Sequence, residues 1–359
     1  MTRPLLVIAH EATRTGSPAV LLRQLAFVRG RIDAPIAVRL LASGPHEADL
    51  LATGEVDAVG VRPAAIVVNS AAAADRLFEY DASIPVMAYV HEVGDALLVL
   101  PDDARRGLVE RCRRVACVSE QGRRDLVEMG VDADRIVVIP PAIAEIATPD
   151  EREVRRARAS AGCDADATMV LACGEAGWRK GADLFVDVAR RMTEIDPSLR
   201  FAWIGRRPRA FSRVLDHDTR AVGLSTTLSW LGEMADPMPF LAAADLLLMC
   251  SREDPQPLVP LEAALVGTPT VGFALGGMND LADDGAALVV PYPDTRELAI
   301  VGGRVLADAH LADGLVSAGR RRVRERQSID VVGPMFLDEV RRLLGEVDAA
   351  ATNNGDGAS

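Results

Sequence analysis

A chain of 359 residues is long enough for two domains of ordinary size. Apolar residues make up 49% of it and aromatics only 4%, so two cores resting on Leu, Val, Ile and Ala are expected. The net charge of −12 argues against nonspecific nucleic-acid binding, which needs a basic surface, but leaves room for a local basic patch that holds a phosphate.

Short apolar runs alternate with longer amphipathic stretches. One set lies at 5–9, 36–41, 65–68, 86–90, 115–118 and 136–139, and a second at 169–173, 201–204, 228–231, 246–250, 270–273 and 288–290. Runs this short and rich in Val, Ile and Leu predict strands buried on both faces. The stretches between them, such as 121–129 and 182–192, carry helical periodicity, and the alternation predicts two parallel α/β sheets with helices on both faces. The sets end alike, in IVVIPP at 136–141 and LVVPYP at 288–293. The expected domains are 1–145 and 146–328, joined through the polar, charged segment 145–166. A last helix is expected over 330–344 within 329–346, with Pro334 near its start. The tail 347–359, ending AATNNGDGAS, lacks large apolar residues and is expected to be disordered.

The five cysteines, Cys112, Cys117, Cys163, Cys173 and Cys250, are odd in number and form no C-x-x-C pair. Neither a disulfide framework nor a structural zinc is expected. Cys117, Cys173 and Cys250 lie in apolar runs and read as small core residues, and a reducing cytoplasm fits. The opening segment MTRPLLVIAHEATRTG holds too short an apolar run for a signal peptide, and no window has the length to span a bilayer. Peripheral contact with the cytoplasmic face of a membrane stays open.

Ligands of doubly wound sheets bind beyond the carboxyl ends of the strands, so the residues after each run matter most. After the first run come His10 and EATRTGSP, where Gly16 marks a tight turn or a close approach. No G-x-G-x-x-G occurs, which counts against a dinucleotide cofactor. His91-Glu92 follows the fourth run, and Ser119 after the fifth reads as a helix N-cap. After Cys173 comes GEAGWRKGADLF, where Arg179 and Lys180 stand beside a helix N-terminus, a natural clamp for a pyrophosphate. After Cys250, Asp254 and Glu262 are eight residues apart. If 258–265 is a helix, both carboxylates and the free N–H groups of its first turn face one cavity, the carboxylates suiting sugar hydroxyls and the N–H groups phosphate.

These segments together resemble glycosyltransferase family 4, the retaining GT-B enzymes, over nearly the whole chain. SREDPQPLVPLEAALVGTPTVGF is similar to the family's E-x7-E motif with Asp in the first place. GGMNDLADDGAALVVPYPD is similar to its Gly-Gly segment, WRKGADLF to its K-G motif and HEATRTGSP to its first glycine loop. VHEVGDAL and VACVSEQGRRDLVEMGV match its acceptor-side pattern. The resemblance implies two facing Rossmann-like domains, an N-terminal acceptor side and a C-terminal donor side, with the last helix crossing back. It implies a nucleotide-diphosphate sugar, UDP- or GDP-linked, as co-substrate, with no cofactor and no metal. A hydroxyl acceptor, a glycan, a lipid-linked sugar or a small molecule, receives the sugar by front-face transfer. By the same resemblance Lys180 holds the diphosphate with the backbone amides of Leu258 and Val259. Glu262 binds the ribose, Asp254 the donor sugar, and His91 contacts the sugar near the reacting carbon. Gly16 lets the phosphate approach, and the segment from Gly232 through Glu233 to Met234 borders the base. The chain departs from the pattern at Glu175, where many members carry Arg after Gly174, and Arg179 either substitutes as the cation or does not reach. It departs also at Gln256-Pro257 and at Asp280. A sugar-nucleotide epimerase or hydrolase and a noncatalytic nucleotide-sugar or glycan-binding module are the alternatives. The D-x-D look-alike Asp216-His217-Asp218 falls outside the donor loops.

Overall fold

Residues 2–144, 146–164 and 166–345 are described by a computed structural model of the chain. Glu145 and the expected tail 347–359 lie outside the described residues.

The first sheet holds β1 (Leu5–Ala9), β2 (Ile36–Leu40), β3 (Ala65–Asn69), β4 (Val86–Val90), β5 (Arg114–Cys117) and β6 (Ile136–Val138), in the order β2-β1-β3-β4-β5-β6. The second holds β7 (Met169–Cys173), β8 (Arg200–Ile204), β9 (Leu228–Gly232), β10 (Leu246–Met249), β11 (Thr270–Phe273) and β12 (Leu288–Val290), in the order β12-β11-β10-β7-β8-β9. Every pairing between these strands is parallel. The strand order reverses beside β1 in the first sheet and beside β7 in the second, and these switch points are where a doubly wound sheet opens a crevice.

The interior strands β1, β3 and β4 are buried along their whole length, which is why they read as unbroken apolar runs. The edge strands differ from the expectation of burial on both faces. Only Leu228 of β9 and the first three residues of β2 are buried, because an edge has a neighbour on one side only. The few aromatics gather in the second core, where Phe185 meets Trp203 edge-on at 5.3 Å and Phe201 at 6.2 Å.

The chain divides into two compact units, Met1–Ala144 with Arg326–Ser359, and Glu145–Glu325. The joining segment contains a helix, Glu151–Ser160, started by a capping box in which Asp150 and Glu153 each accept the other's backbone N–H at 2.8 Å. The last helix, Ile329–Leu344, packs in the first unit against the helix Gly16–Val28 and against β3 and β4. A Cβ on Gly333 would stand 2.6 Å from the Phe27 ring, so a side chain there would push the helices apart. Glu339, buried, takes two bonds from Arg114, at 2.8 and 3.1 Å. Pro334 is not in the first turn but at the sixth helical residue. Pro334 and Asp330, whose carbonyl it leaves without an N–H, are both exposed, so water can serve that carbonyl.

Candidate functional site

In the second unit the loops after β7 and β10 lie side by side across the switch point. The β7 loop begins at Gly174, whose carbonyl accepts from Trp203 Nε1 at 2.8 Å. It ends at Gly181, with φ +67°, where a Cβ would stand 1.9 Å from the Cys250 carbonyl oxygen. Only glycine fits there. Between these ends the loops are laced residue against residue. The Arg252 N–H donates to the Arg179 carbonyl at 2.8 Å, and the exposed Arg179 side chain donates to the Glu253 carbonyl at 2.9 Å. The Lys180 ammonium donates to the Asp254 carboxylate, both side chains being largely buried. The Arg252 guanidinium donates to both oxygens of Asp183 and to the Trp178 carbonyl. Burial works to raise the Asp183 carboxyl, but Arg252 outweighs it and holds the group below the usual carboxylate range.

The helix Val259–Val266 starts directly beyond Asp254, with Leu258 as its N-cap. The Glu262 N–H donates to the Leu258 carbonyl at 2.9 Å, while the N–H groups of Leu258 and Val259 precede the first intrahelical bond. Gly276, with φ +53°, passes so close that a Cβ would lie 2.2 Å from the Asp254 carbonyl, and the Gly277 N–H donates to that carbonyl at 3.0 Å. The Gly-Gly segment therefore supports the Asp254 loop from beneath. Glu262 is half-buried. Burial pushes the Cys173 thiol up to about 12, with the Glu262 charge adding to the rise and Lys180 opposing it. Cys173, the last residue of β7, is half-buried rather than sealed in the core. Gly232 closes β9 with its carbonyl accepting from the Gly205 N–H at 2.8 Å, and the exposed Glu233 follows. Glu175 is ion-paired with Arg206 from the loop after β8. Asp216 pairs with Arg207 at 2.6 Å and His217 is exposed on its helix, a solvated helix face.

In the first unit the ends of β3 and β4 and the start of the helix Gly16–Val28 form a hydrogen-bonded chain. The Asn69 amide donates through Nδ2 to Ser17 Oγ at 2.8 Å, and its Oδ1 meets His91 Nε2 at 3.0 Å. With the amide in this orientation the imidazole carries its proton on Nε2 and keeps Nδ1 as an acceptor. The ring lies against Tyr89, centroids 4.4 Å apart, and burial lowers its pKa to about 4, opposed by the Glu92 charge. Glu92 accepts from Ser70 Oγ, from the Ala71 N–H at 3.1 Å and from the His91 N–H at 2.9 Å. Ser70 holds φ +84°, the one positive φ among the described non-glycine residues. Gly16 is the exposed first residue of its helix. Ser119 caps its helix, accepting from the Gly122 N–H at 3.2 Å.

Asn69, Ser17, Arg252 and Asp183 were not singled out by the sequence. The only signal for Asn69 is a polar residue closing an apolar run, and for Ser17 its place beside Gly16. Among the described residues no group of three or more His, Cys, Asp or Glu could hold a metal ion, and no helix is long and apolar enough to cross a membrane.

Two family models match the chain, "Glycosyl transferases group 1" over residues 167–308 and "Glycosyltransferase Family 4" over residues 35–145. The chain is similar to the D-inositol 3-phosphate glycosyltransferase of Geodermatophilus obscurus, 30% identical over 226 residues, covering 60% of this chain and 49% of that protein. It is also similar to the 2-deoxystreptamine N-acetyl-D-glucosaminyltransferase of Streptomyces fradiae, 28% identical over 252 residues, 67% of this chain and 58% of that protein. The chain spans about half the length of these curated relatives. Among solved structures, Anabaena Alr3699/HepE in complex with UDP-glucose superposes with a TM-score of 0.81 at 18% identity, covering 94% of this chain and 99% of that one. Sucrose-phosphate synthase from Thermosynechococcus elongatus gives 0.75 at 19% identity, covering 96% and 100%. These likenesses establish the GT-B type of α/β fold.

Proposed function

Since the chain belongs to the group 1, family 4 glycosyltransferases, we propose that it moves a sugar from a nucleotide-diphosphate sugar to a hydroxyl acceptor with retention of configuration. The observation that carries this reading is the contact of Lys180 with Asp254 at the β7–β10 switch point, in the loop that leads into the helix Val259–Val266 with Glu262 in its first turn. An ammonium has three donors, so Lys180 can serve Asp254 and a phosphate oxygen together. The Leu258 and Val259 amides add partial positive charge where the diphosphate develops negative charge on leaving. Glu262 takes the ribose diol and Asp254 the sugar hydroxyls, while Gly232 and Glu233 border the base. In the first unit His91 is neutral at pH 7 and offers Nδ1 as an acceptor for a hydroxyl near the reacting carbon. Gly16 leaves room for the phosphate.

In the transfer, the bond from the anomeric carbon to the leaving phosphate oxygen breaks and the bond to the acceptor oxygen forms on the same face. The acceptor proton passes to the diphosphate. The residues work by positioning and by stabilising charge. The complex of HepE with UDP-glucose supports a nucleotide sugar as donor. A glycan, a lipid-linked sugar or a small molecule is the proposed acceptor, met in the cytoplasm or at the cytoplasmic face of a membrane. A thermal-shift screen against UDP- and GDP-linked sugars tests the reading. A donor at about 100 times its Kd adds roughly 2.7 kcal/mol. A chain that no nucleotide sugar stabilises would sink the reading, and product with inverted configuration by NMR would sink retention.

A further inference from the structure

We infer that Arg252 is a positioning residue that fixes where the Lys180 ammonium stands for a donor phosphate; this rests on the nucleotide-sugar reading of the site. Lys180 and Asp254 are 74 residues apart in sequence, so noncovalent contacts must hold the mutual register of the loops that carry them. The Arg252 side chain makes four contacts with the Lys180 side of that seam. Its Nη1 and Nη2 donate to the two oxygens of Asp183 at 2.9 and 2.7 Å, and Nη1 also donates to the Trp178 carbonyl at 2.6 Å. The guanidinium carbon lies 4.8 Å from the centre of the Trp178 ring. The backbone N–H of Arg252 adds the bond to the Arg179 carbonyl at 2.8 Å.

Residue 178 on one side of Lys180 and residue 183 on the other are therefore tied to one side chain, and residue 179 to the backbone of the same residue. Gly181, fitted against the Cys250 carbonyl, leaves the turn between them no slack. The Arg252 side chain is only 11% exposed while Trp178 is 56% exposed, so the indole shields the guanidinium from water and strengthens its ion pair. A fork with a flat face is needed for this arrangement. A lysine carries the charge but can neither bridge Asp183 through two nitrogens nor lie flat on the ring. Three of the five N–H donors of Arg252 are taken by Asp183 and the Trp178 carbonyl, and Tyr292 also hydrogen-bonds the side chain, so the inferred route from Arg252 to a phosphate is through Lys180.

The test is calorimetric titration of UDP and of GDP into wild type, Arg252→Lys, Asp183→Asn, Lys180→Ala and the double variant Arg252→Lys/Lys180→Ala, with thermal unfolding alongside. Whichever diphosphate the wild type binds should bind about tenfold more weakly to Arg252→Lys, at a nearly unchanged unfolding midpoint. In the Lys180→Ala background the same substitution should add nothing, because the contact it positions is already gone. Asp183→Asn removes the other end of the fork and should follow Arg252→Lys, which keeps the comparison open if the arginine variant folds poorly. Unchanged affinity in Arg252→Lys would overturn the inference, as would a loss of the same size in both backgrounds. A wild type that binds neither UDP nor GDP would overturn the donor reading itself, and this inference with it.

Discussion

At the carboxyl ends of β1, β3 and β4 the polar side chains meet mainly as neutral hydrogen-bond partners, from Ser17 through Asn69 to His91. At the carboxyl ends of β7, β8 and β10 they meet as ion pairs, Lys180 with Asp254, Arg252 with Asp183 and Arg206 with Glu175. Both regions sit in the same topological place of the same kind of sheet, so topology does not explain the difference. The proposed ligands do. A diphosphate brings formal negative charge, and the cations that meet it need carboxylates to hold them in place while the site is empty. A hydroxyl brings no charge, and hydrogen-bond direction is enough to orient it. Burial disfavours the charged form in both, but the outcomes are opposite. It drives His91 toward its neutral form, whereas in the second unit Arg252 overrides it and keeps Asp183 ionised.

The comparison breaks most visibly at Lys180. Lys180→Ala should remove the charge-assisted phosphate contact and leave Asp254 as a buried carboxylate without its cation. A loss of about 3–5 kcal/mol in denaturant unfolding is expected, together with UDP or GDP binding weakened by about 1.5–3 kcal/mol. Adding Asp254→Asn should restore much of the stability and none of the binding. Equal stability losses in the single and double variants would mean that the ion pair is not what the second unit depends on. The next effect sets the two units against each other directly. Glu262→Gln should weaken nucleoside diphosphate binding by about 1.5–3 kcal/mol, the range for hydrogen bonds to a charged group. Glu92→Gln removes the same charge from the first unit and should leave that affinity where it was. Titrations in which Glu92→Gln weakens binding as much would erase the division of labour.

The strands were legible because interior parallel strands are short, unbroken apolar runs, and β1, β4, β7, β11 and β12 fall on the expected residues. The sequence was less informative where position in the sheet decides burial, as at β9, and where local chemistry is overridden, as at Pro334. Lys180, Asp254 and Glu262 stood out because they follow apolar runs and flank a helix start. Their mutual geometry did not. The Lys180–Asp254 pair spans 74 residues and the Asn69–Ser17 bond 52, and such contacts depend on which strand lies beside which. Nothing in the local sequence encodes that neighbourhood. Arg252 and Asp183 were invisible for the same reason, although each lies within three residues of a residue that was singled out.

Acid titration sharpens the contrast by a smaller amount. His91 falls from an ordinary 6.5 to about 4 in the folded protein, so the unfolded chain takes up this proton first as the pH drops. Stability should therefore decline from about pH 6.5 to about pH 4, by at most about 1.4 kcal/mol per pH unit from this group. Asp183 is lowered from 3.8, so its contribution is present above that value and is lost only at lower pH. Urea unfolding between pH 4 and 7 should show the first loss in wild type and a flatter profile in His91→Asn. A profile unchanged by that substitution would assign the loss to other groups.

The smallest effect belongs to Ser17, at the far end of the first unit's chain. Its Oγ accepts from Asn69 Nδ2, which fixes the amide with Oδ1 toward His91 Nε2. Without the serine hydroxyl the amide is free to turn over and present Nδ2 to the imidazole instead. Two donors would then face each other unless the ring moved its proton to Nδ1, the atom proposed to accept from a substrate hydroxyl. Ser17→Ala should accordingly lower turnover a few-fold, roughly the 0.5–1.5 kcal/mol of one neutral hydrogen bond, while leaving the KM for donor unchanged. Initial rates across donor concentrations, with calorimetric affinity for the nucleoside diphosphate measured in parallel, separate the two quantities. If Ser17→Ala instead weakens diphosphate binding and spares turnover, the neutral chain serves the phosphate, and the contrast between the two strand-end regions is drawn in the wrong place.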